Sequence, residues 1–430
     1  MMNITRVLPR RIVPLRSPCI FLKSMSTHAD KSPMDQPTYI SPIDAEPLHR
    51  YRQGGYHPVT LGEYLKAGRY KVLHKLGWGG YSTVWAARDQ RLYIPMTETY
   101  VAVKICIAEK GHDRETRELQ TMKELASYHP SLTHVVQLLD DFDLTGPNGF
   151  HKCLVYELLG PNIPDVIDAH FSGGRLPGRL AKTIAKQSLA GLRDLHQRDI
   201  GHGDLHTRNL AFTMPYLDKV TEEAFFEILG KPKIGRVQRR DGKGLGLGVP
   251  EYIVKPNSSR TRLWKSAQSI KIIDFGESFS CSAVPHRLHT PLPVRAPEVI
   301  FQDKLDHHVD LWSMGCMLFE LFTGQPPFDT FLITPPILVG QMQEMATDDL
   351  PRRWQKIWDT MNKGNDVTAE SPGPNLQEWL EEVYFDGRQI TDLTRKDIAR
   401  LGKIIGRLFY FEPSARASAR QILDDPWFNE

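Results

Sequence analysis

Asp204 and Asn209 stand five residues apart in the segment Ile200–Leu210, which reads IGHGDLHTRNL. A carboxylate so placed can accept the proton of a substrate hydroxyl, and an amide oxygen close behind it can hold Mg²⁺. A second carboxylate for the same metal, Asp274, follows in Lys271–Gly276 (KIIDFG) after a short apolar strand. Upstream, Leu76, Gly77, Trp78, Gly79, Gly80, Tyr81, Ser82, Thr83 and Val84 form a Gly-rich turn. Glycines at 77 and 79 let backbone close over phosphates where a Cβ would obstruct. Ser82 takes the last place of the G-x-G-x-x-G pattern, and alone this segment fits a plain β-hairpin turn equally well. Lys104 ends Val101–Lys104 (VAVK), an apolar strand carrying one cation, which suits a phosphate clamp. A surface lysine on an edge strand is the plainer account, and the Gly-rich turn beside it favours the clamp. A clamp lysine needs a carboxylate to hold it. Glu118 lies fourteen residues on in a helix candidate, with Glu115 as the competing choice one turn earlier. Glu118 is preferred because the apolar continuation of the helix follows it; an exposed helix acid is the plainer account of either.

The elements that must position these residues are legible in outline. Tyr70–Leu76 and Tyr81–Ala87 read as strands around the Gly-rich turn, and Tyr100–Ile107 as a third strand. Asp113–Ser127 is a helix candidate, with Leu119, Met122 and Leu125 at helical spacing. Val135–Asp140 and Lys152–Glu157 read as two more strands. Helical patterns then take over, at Leu180–His196, Val309–Phe322, Pro336–Met345, Lys396–Phe409 and Ala417–Leu423. The expected fold is α+β and bilobal: a small lobe of five strands and one helix, then a larger, mainly helical lobe.

The 430 residues can bury a sizeable core, and no run of 18 apolar residues occurs, which disfavours a transmembrane helix. Five cysteines lie far apart with no zinc spacing, so a reducing compartment fits better than a disulfide framework. The net charge of +3 comes from the first 29 residues, which hold five Arg or Lys and no acid. The remainder has a balance of −2, which lacks the basic excess of many nucleic-acid binders. Residues 1–29 fit a mitochondrial transit peptide, although Pro9, Pro14 and Pro18 interrupt a helix there. A disordered tail, or a start at Met25 or Met34, fits as well. Residues 30–69 read as a polar lead-in with five prolines.

The Gly-rich turn, Lys104, Glu118, the Asp204–Asn209 loop, Asp274-Phe275-Gly276 and Ala296-Pro297-Glu298 occur in the order of the eukaryotic protein kinases. The chain resembles that superfamily over about residues 70–428, which implies an N-lobe at 70–157 and a C-lobe at 160–428. Asp310 resembles the helix Asp that anchors the catalytic loop, and Arg416 the partner of Glu298. The resemblance implies ATP bound between the lobes, with Leu76–Val84 and Lys104 on the nucleotide. It also implies Mg²⁺ on Asn209 and Asp274, with Asp204 as the catalytic carboxylate.

Gly54-Gly55-Tyr56-His57-Pro58, the Trp pair at 78 and 85, and Val155–Gly160 at the hinge (VYELLG) are more specific. They resemble the SR-protein kinases, with His202-Gly203-Asp204-Leu205-His206-Thr207 similar to divergent fungal members. That resemblance implies a serine/threonine kinase acting on serines in Arg/Ser-rich protein segments. It implies a monomer with a protein substrate, no direct nucleic acid and no membrane, in the cytoplasm or nucleus. A working transit peptide would instead place it in mitochondria. On this alignment Tyr156 is the gatekeeper, and the Glu157 carbonyl and Leu159 amide would meet adenine.

The chain departs from the family pattern at three places. Gly203 replaces an Arg that commonly pairs with an activation-loop phosphate, so activity without that phosphate is expected. His206 replaces the Lys that stabilises the transferring phosphoryl group, which predicts slow turnover. An ATP-binding pseudokinase scaffold is therefore the rival reading. A small-molecule kinase is a third, disfavoured by Ala296-Pro297-Glu298 and Arg416. An insert, about 213–266, separates Asn209 from Asp274 and is basic, with ten Lys or Arg and two acids over 231–265. It reads either as a flexible solvated loop or as a docking element. Residues 329–400 carry a balance of −5, either an ordinary helical surface or a field that steers Arg-rich substrate.

Overall fold

The structure is a computed structural model, and it describes residues 37–90, 99–108, 116–128, 130–214, 217, 220–258, 264, 269–328, 333–363, 373–386 and 391–430. Residues 1–29 and Glu115 lie outside these.

The small lobe comprises β1 (Tyr39–Ile40), β2 (Tyr64–Leu65), β3 (Tyr70–Gly79), β4 (Ser82–Asp89), β5 (Thr99–Cys106), α1 (Arg117–Ala126), β6 (Leu138–Gly146) and β7 (Gly149–Glu157). Along β3 Leu73 and Leu76 enter the main core and Tyr70 and Val72 a second cluster on the opposite sheet face, with register shifts in its pairing to β4 at Val72/His74 and Lys75/Gly77 breaking the simple alternation. Both faces are thus covered. Thr116 caps α1 by accepting from Leu119 N at 3.2 Å, and Glu118 lies in the first turn, where the helix dipole favours an anion.

The expected five-stranded sheet has six strands, in the antiparallel order β2-β3-β4-β5-β7-β6. The added strand β2 comes from the segment read as a polar lead-in. That segment buries Tyr51, Tyr56, Val59 and Leu65, so its described part is a packed strap over the sheet rather than a solvated approach. The strand expected at Val135–Asp140 is displaced to β6. Val135 makes only an isolated parallel bridge to Ile272, because that stretch enters the cleft between the lobes.

Beyond the hinge come β8 (Leu159–Asn162), α2 (Ile163–His170), α3 (Gly178–His196), β9 (Ile200–Gly201) and β10 (Leu210–Thr213). The insert follows with α4 (Glu222–Leu229), β11 (Ile234–Arg236), β12 (Gln238–Arg239) and β13 (Tyr252–Val254). The chain closes with β14 (Ile270–Ile272), β15 (Phe279–Ser280), α5 (Pro297–Ile300), α6 (His308–Thr323), α7 (Pro335–Met345), α8 (Arg352–Met361), α9 (Leu376–Tyr384), α10 (Arg395–Gly406) and α11 (Ala419–Leu423). In α3, Ala181, Ile184, Ala185, Leu189, Leu192 and Leu195 form one buried stripe. Helix α6 is buried almost all round and forms the centre of the large lobe. The short α2, α4, α5, α8 and α9, none longer than ten residues, escaped sequence reading. Among the described residues, no helix is long and apolar enough to cross a membrane.

Much of the described part of the insert is packed against the small lobe rather than solvated. Phe225 of α4 stacks on Tyr100 with ring centroids 4.2 Å apart. Glu222 pairs with Lys71 at 2.7 Å and with Arg88 at 3.3 Å. Strands β11 and β13 form a hairpin, and β12 pairs with β1 of the lead-in. Val254 enters the outer-face cluster, and Tyr252 Oη accepts from Leu61 N at 2.9 Å. Lead-in and insert therefore wrap the back of the small lobe together, a contact between distant segments that no local pattern encodes.

Candidate active site

The pleat of β5 turns Lys104 toward α1, and the capped first turn of α1 delivers Glu118 to it. Lys104 Nζ lies 2.7 and 2.9 Å from the two Glu118 oxygens and 2.9 Å from Asp274 Oδ1. Burial alone would weaken the ammonium, but the Asp274 and Glu118 carboxylates outweigh it and raise the Lys104 pKa. Lys104 in turn holds the Asp274 carboxyl down at about 2. Tyr156 Oη donates to Glu118 Oε1 at 2.9 Å, so this residue also steadies the pair. Burial, with Glu118 beside it, pushes its phenol well above the ordinary value. Asp274 adopts φ +61°, an uncommon conformation for a residue with a side chain.

Asp204 and Asn209 form a second unit. Asn209 Nδ2 donates to Asp204 O at 2.8 Å and approaches Asp204 Oδ2 at 3.3 Å. This commits the amide nitrogen and leaves the amide oxygen as the end open to a hard cation. Asp204 Oδ1 is buried without a hydrogen-bond partner, an acceptor held ready in the cleft. Ile273 N donates to Asn209 O at 2.9 Å, which ties the Asn209 segment to the residue before Asp274. An all-oxygen set from Asn209 and Asp274, with one carboxylate strongly anionic, fits a hard divalent cation.

The catalytic loop hangs on Asp310. Its carboxylate accepts from His202 N (2.7 Å), Gly203 N (2.8 Å) and His196 Nε2 (3.0 Å). Although burial opposes it, His196 and His202 keep the Asp310 carboxyl below its ordinary pKa. Glu298 and Arg416 form a buried two-pronged pair at 2.6 and 2.7 Å.

The two departures have structural counterparts. Gly203 has φ +76°, and a Cβ there would stand 2.6 Å from Glu277 O, so the usual Arg has no room in this backbone. The activation segment is fastened by its own residues instead. Glu277 Oε1 lies 3.0 Å from His289 Nδ1, Thr290 Oγ1 donates to Gly203 O at 2.6 Å, and Arg295 donates twice to Thr290 O at 2.8 and 2.6 Å. His206 Nε2 stands 3.3 Å from Asn209 Nδ2 and 3.6 Å from Asp204 Oδ1. One imidazole nitrogen cannot accept from the first and donate to the second, so its tautomer decides which it supports.

Leu76–Val84 form the hairpin of β3 and β4 above β5, where Val84 is opposite Lys104. Glu157 ends β7 and Leu159 begins β8, on the expected hinge. The Glu157 side chain is held by Lys271 Nζ (2.5 Å) and Gln137 N (2.8 Å), away from a role of its own with a ligand. Sequence reasoning missed the Tyr156–Glu118 bond, the Glu277–His289 tie and the contacts of the lead-in with the Gly-rich turn. The motif at 54–58 marked the lead-in as distinctive, but nothing in it named the loop as its target.

The protein kinase domain family matches residues 70–220 and 262–428, leaving out part of the insert. A serine/threonine-protein kinase SRPK of Physarum polycephalum is 30% identical over 402 residues, covering 88% of this chain and 89% of that one. Protein kinase dsk1 of Schizosaccharomyces pombe is 37% identical over 475 residues, covering 88% and 84%. A solved kinase-domain crystal structure superposes with a TM-score of 0.58 at 21% identity, covering 87% of this chain and 98% of its own, which speaks for the fold alone. With kinase motifs in order, their side chains assembled in one cleft, and these relatives spanning most of its length, the chain belongs to the protein kinase family and, within it, to the SR-protein kinase type.

Proposed function

We propose that the chain is an ATP- and Mg²⁺-dependent serine/threonine kinase that phosphorylates serines in Arg/Ser-rich protein segments. One observation carries the catalytic part: Lys104, clasped between Glu118 and Asp274, shares a cleft with a buried Asp204 Oδ1 that has no hydrogen-bond partner. In this reading Lys104 binds the α/β-phosphates, and Glu118 orients it. Asn209 and Asp274 would hold Mg²⁺, which neutralises phosphate charge when bound. Asp204 orients the substrate hydroxyl and takes its proton. Catalysis is then mostly positioning and fixed electrostatics in a partly dry cleft.

The substrate class is supported by the kinship with SR-protein kinases and by the lower lobe. Asp349, Asp359 and Glu382 are exposed there and would attract an Arg-rich segment. The test compares initial rates on an Arg/Ser-repeat peptide and on a serine peptide with acidic flanks, at low and high salt. Preference for the Arg/Ser peptide that shrinks with salt is expected. Equal rates on both would reject the substrate class, and retained nucleotide binding with no transfer to any peptide would favour the scaffold reading.

A further inference from the structure

The tip of the Gly-rich loop is held from outside by a turn of the lead-in. Tyr56 Oη donates to Gly79 O at 2.7 Å, and Arg50 Nη2 donates to Gly80 O. Ile107 N donates to Tyr81 O at 2.9 Å. Three successive carbonyls at the tip thus have fixed partners. A trans peptide points its N–H opposite its C=O. Fixing the Gly79 and Gly80 carbonyls therefore also fixes the direction of the Gly80 and Tyr81 N–H groups. Backbone N–H groups of a glycine-rich loop are natural donors to phosphate.

The turn that provides these donors is itself anchored. Tyr56 N donates to Arg50 O at 3.0 Å and Gly55 N to Arg52 O at 2.8 Å. A Cβ on Gly55 would lie 1.8 Å from Arg50 O, so only glycine closes this turn. Gly54 N donates to Asn148 O, and Ala108 N to Gly55 O, each at 3.0 Å. Asn148, buried between β6 and β7, donates through Nδ2 to Tyr56 O and to Gly248 O of the insert, each at 2.7 Å. Tyr51 and Tyr56 pack edge to face in one cluster with Val237 and Ile253, also of the insert. Below, Lys75 of β3 is buried against Glu46 of the lead-in and lies 4.6 Å from the Trp85 ring. The insert supports the turn, and the turn supports the loop.

We infer that Tyr56 and Arg50 are positioning residues for the nucleotide: they set the Gly-rich loop in its phosphate-binding form, with the insert as their buttress. This rests on the kinase reading and deepens it. Pre-setting the loop removes an ordering cost from ATP binding, so its loss should fall on nucleotide affinity.

The test uses the full chain and the variants Tyr56→Phe, Arg50→Met and the two combined. Gln53→Ala is the comparison, since Gln53 reaches Pro147 O from the same turn without touching the loop. Tyr56→Phe keeps the ring and removes one hydroxyl. Its ATP KM is expected to rise about five-fold, the size of one net hydrogen bond. The double variant should rise about twenty-five-fold on the same basis. Peptide KM and melting temperature should stay with those of Gln53→Ala, a split that a merely structural role would not produce. Without nucleotide, amide exchange at residues 79–82 should quicken in the double variant. An unchanged ATP KM with unchanged exchange overturns the inference. A wild-type chain that binds no ATP would overturn the kinase reading and the inference with it, and is distinguished by needing no variant.

Discussion

Replacing Glu118 by glutamine tests the core of the site with little change of shape. Glu118 Oε1 accepts from Lys104 at 2.7 Å and from Tyr156 Oη at 2.9 Å, while Oε2 accepts from Lys104 at 2.9 Å. Glutamine offers one oxygen and one NH₂ to these donors, so one of them must face another donor. The Glu118 side chain is 9% exposed, so solvent screens the lost charge little. A charge-assisted hydrogen bond is worth about 1.5–3 kcal/mol, which converts to a loss of about 10- to 150-fold. Lys104 keeps Asp274 at 2.9 Å, so the fold should survive while the ammonium swings toward that carboxylate. The assay is kcat/KM for ATP at saturating peptide, beside a thermal melt. Tyr156→Phe removes one of the contacts and should cost about five-fold or less. A folded Glu118→Gln protein within two-fold of wild type would refute the reasoning.

Three further outcomes are expected. Gly203→Ala places a Cβ at φ +76° and 2.6 Å from Glu277 O, and should lower stability by about 2 kcal/mol or more in urea unfolding; an unchanged midpoint would contradict the geometry. Asp274 titrates at about 2 against an ordinary value of 3.8, so its stabilising contribution is full above about pH 4 and fades as pH falls toward 2. Asp274→Asn should flatten the stability–pH slope in that window, and an identical slope in variant and wild type would count against the Lys104 contact. His206→Lys restores the longer ammonium side chain that the family pattern has at this position, and should raise kcat up to about ten-fold; a fall in kcat would show that the imidazole serves its loop better than the ammonium.

The ordered motifs were legible because kinase chemistry fixes both residue type and chain order. Lys104, Glu118 and Asp274 come from three separate segments: Lys104 lies in β5, Glu118 in the first turn of α1, and Asp274 just beyond the end of β14. The choice of Glu118 over Glu115 followed from the apolar spacing after it, and the structure pairs Glu118 with Lys104. Helices α3, α6, α7, α10 and α11 were legible in the sequence, whereas α2, α4, α5, α8 and α9 were not. The lead-in and insert were misread for a different reason. Tyr56 is polar at its tip and buried at its ring, and its partner Gly79 lies twenty-three residues away. Glu222 finds Lys71 across 151 residues. Such contacts depend on the assembled lobe, and composition only registered prolines and basic charge.

The central claim is that this site is catalytically assembled through its own contacts, without a phosphate on the activation segment. The most direct measurement is single-turnover phosphoryl transfer by phosphatase-treated protein, with Mg²⁺, ATP and an Arg/Ser peptide, beside Asp204→Asn. The Glu277–His289, Thr290–Gly203 and Arg295–Thr290 contacts should keep the treated wild type active, and the variant should lose transfer by at least about 1,000-fold. Loss of activity on phosphatase treatment, or transfer by Asp204→Asn at the wild-type rate, would contradict the account.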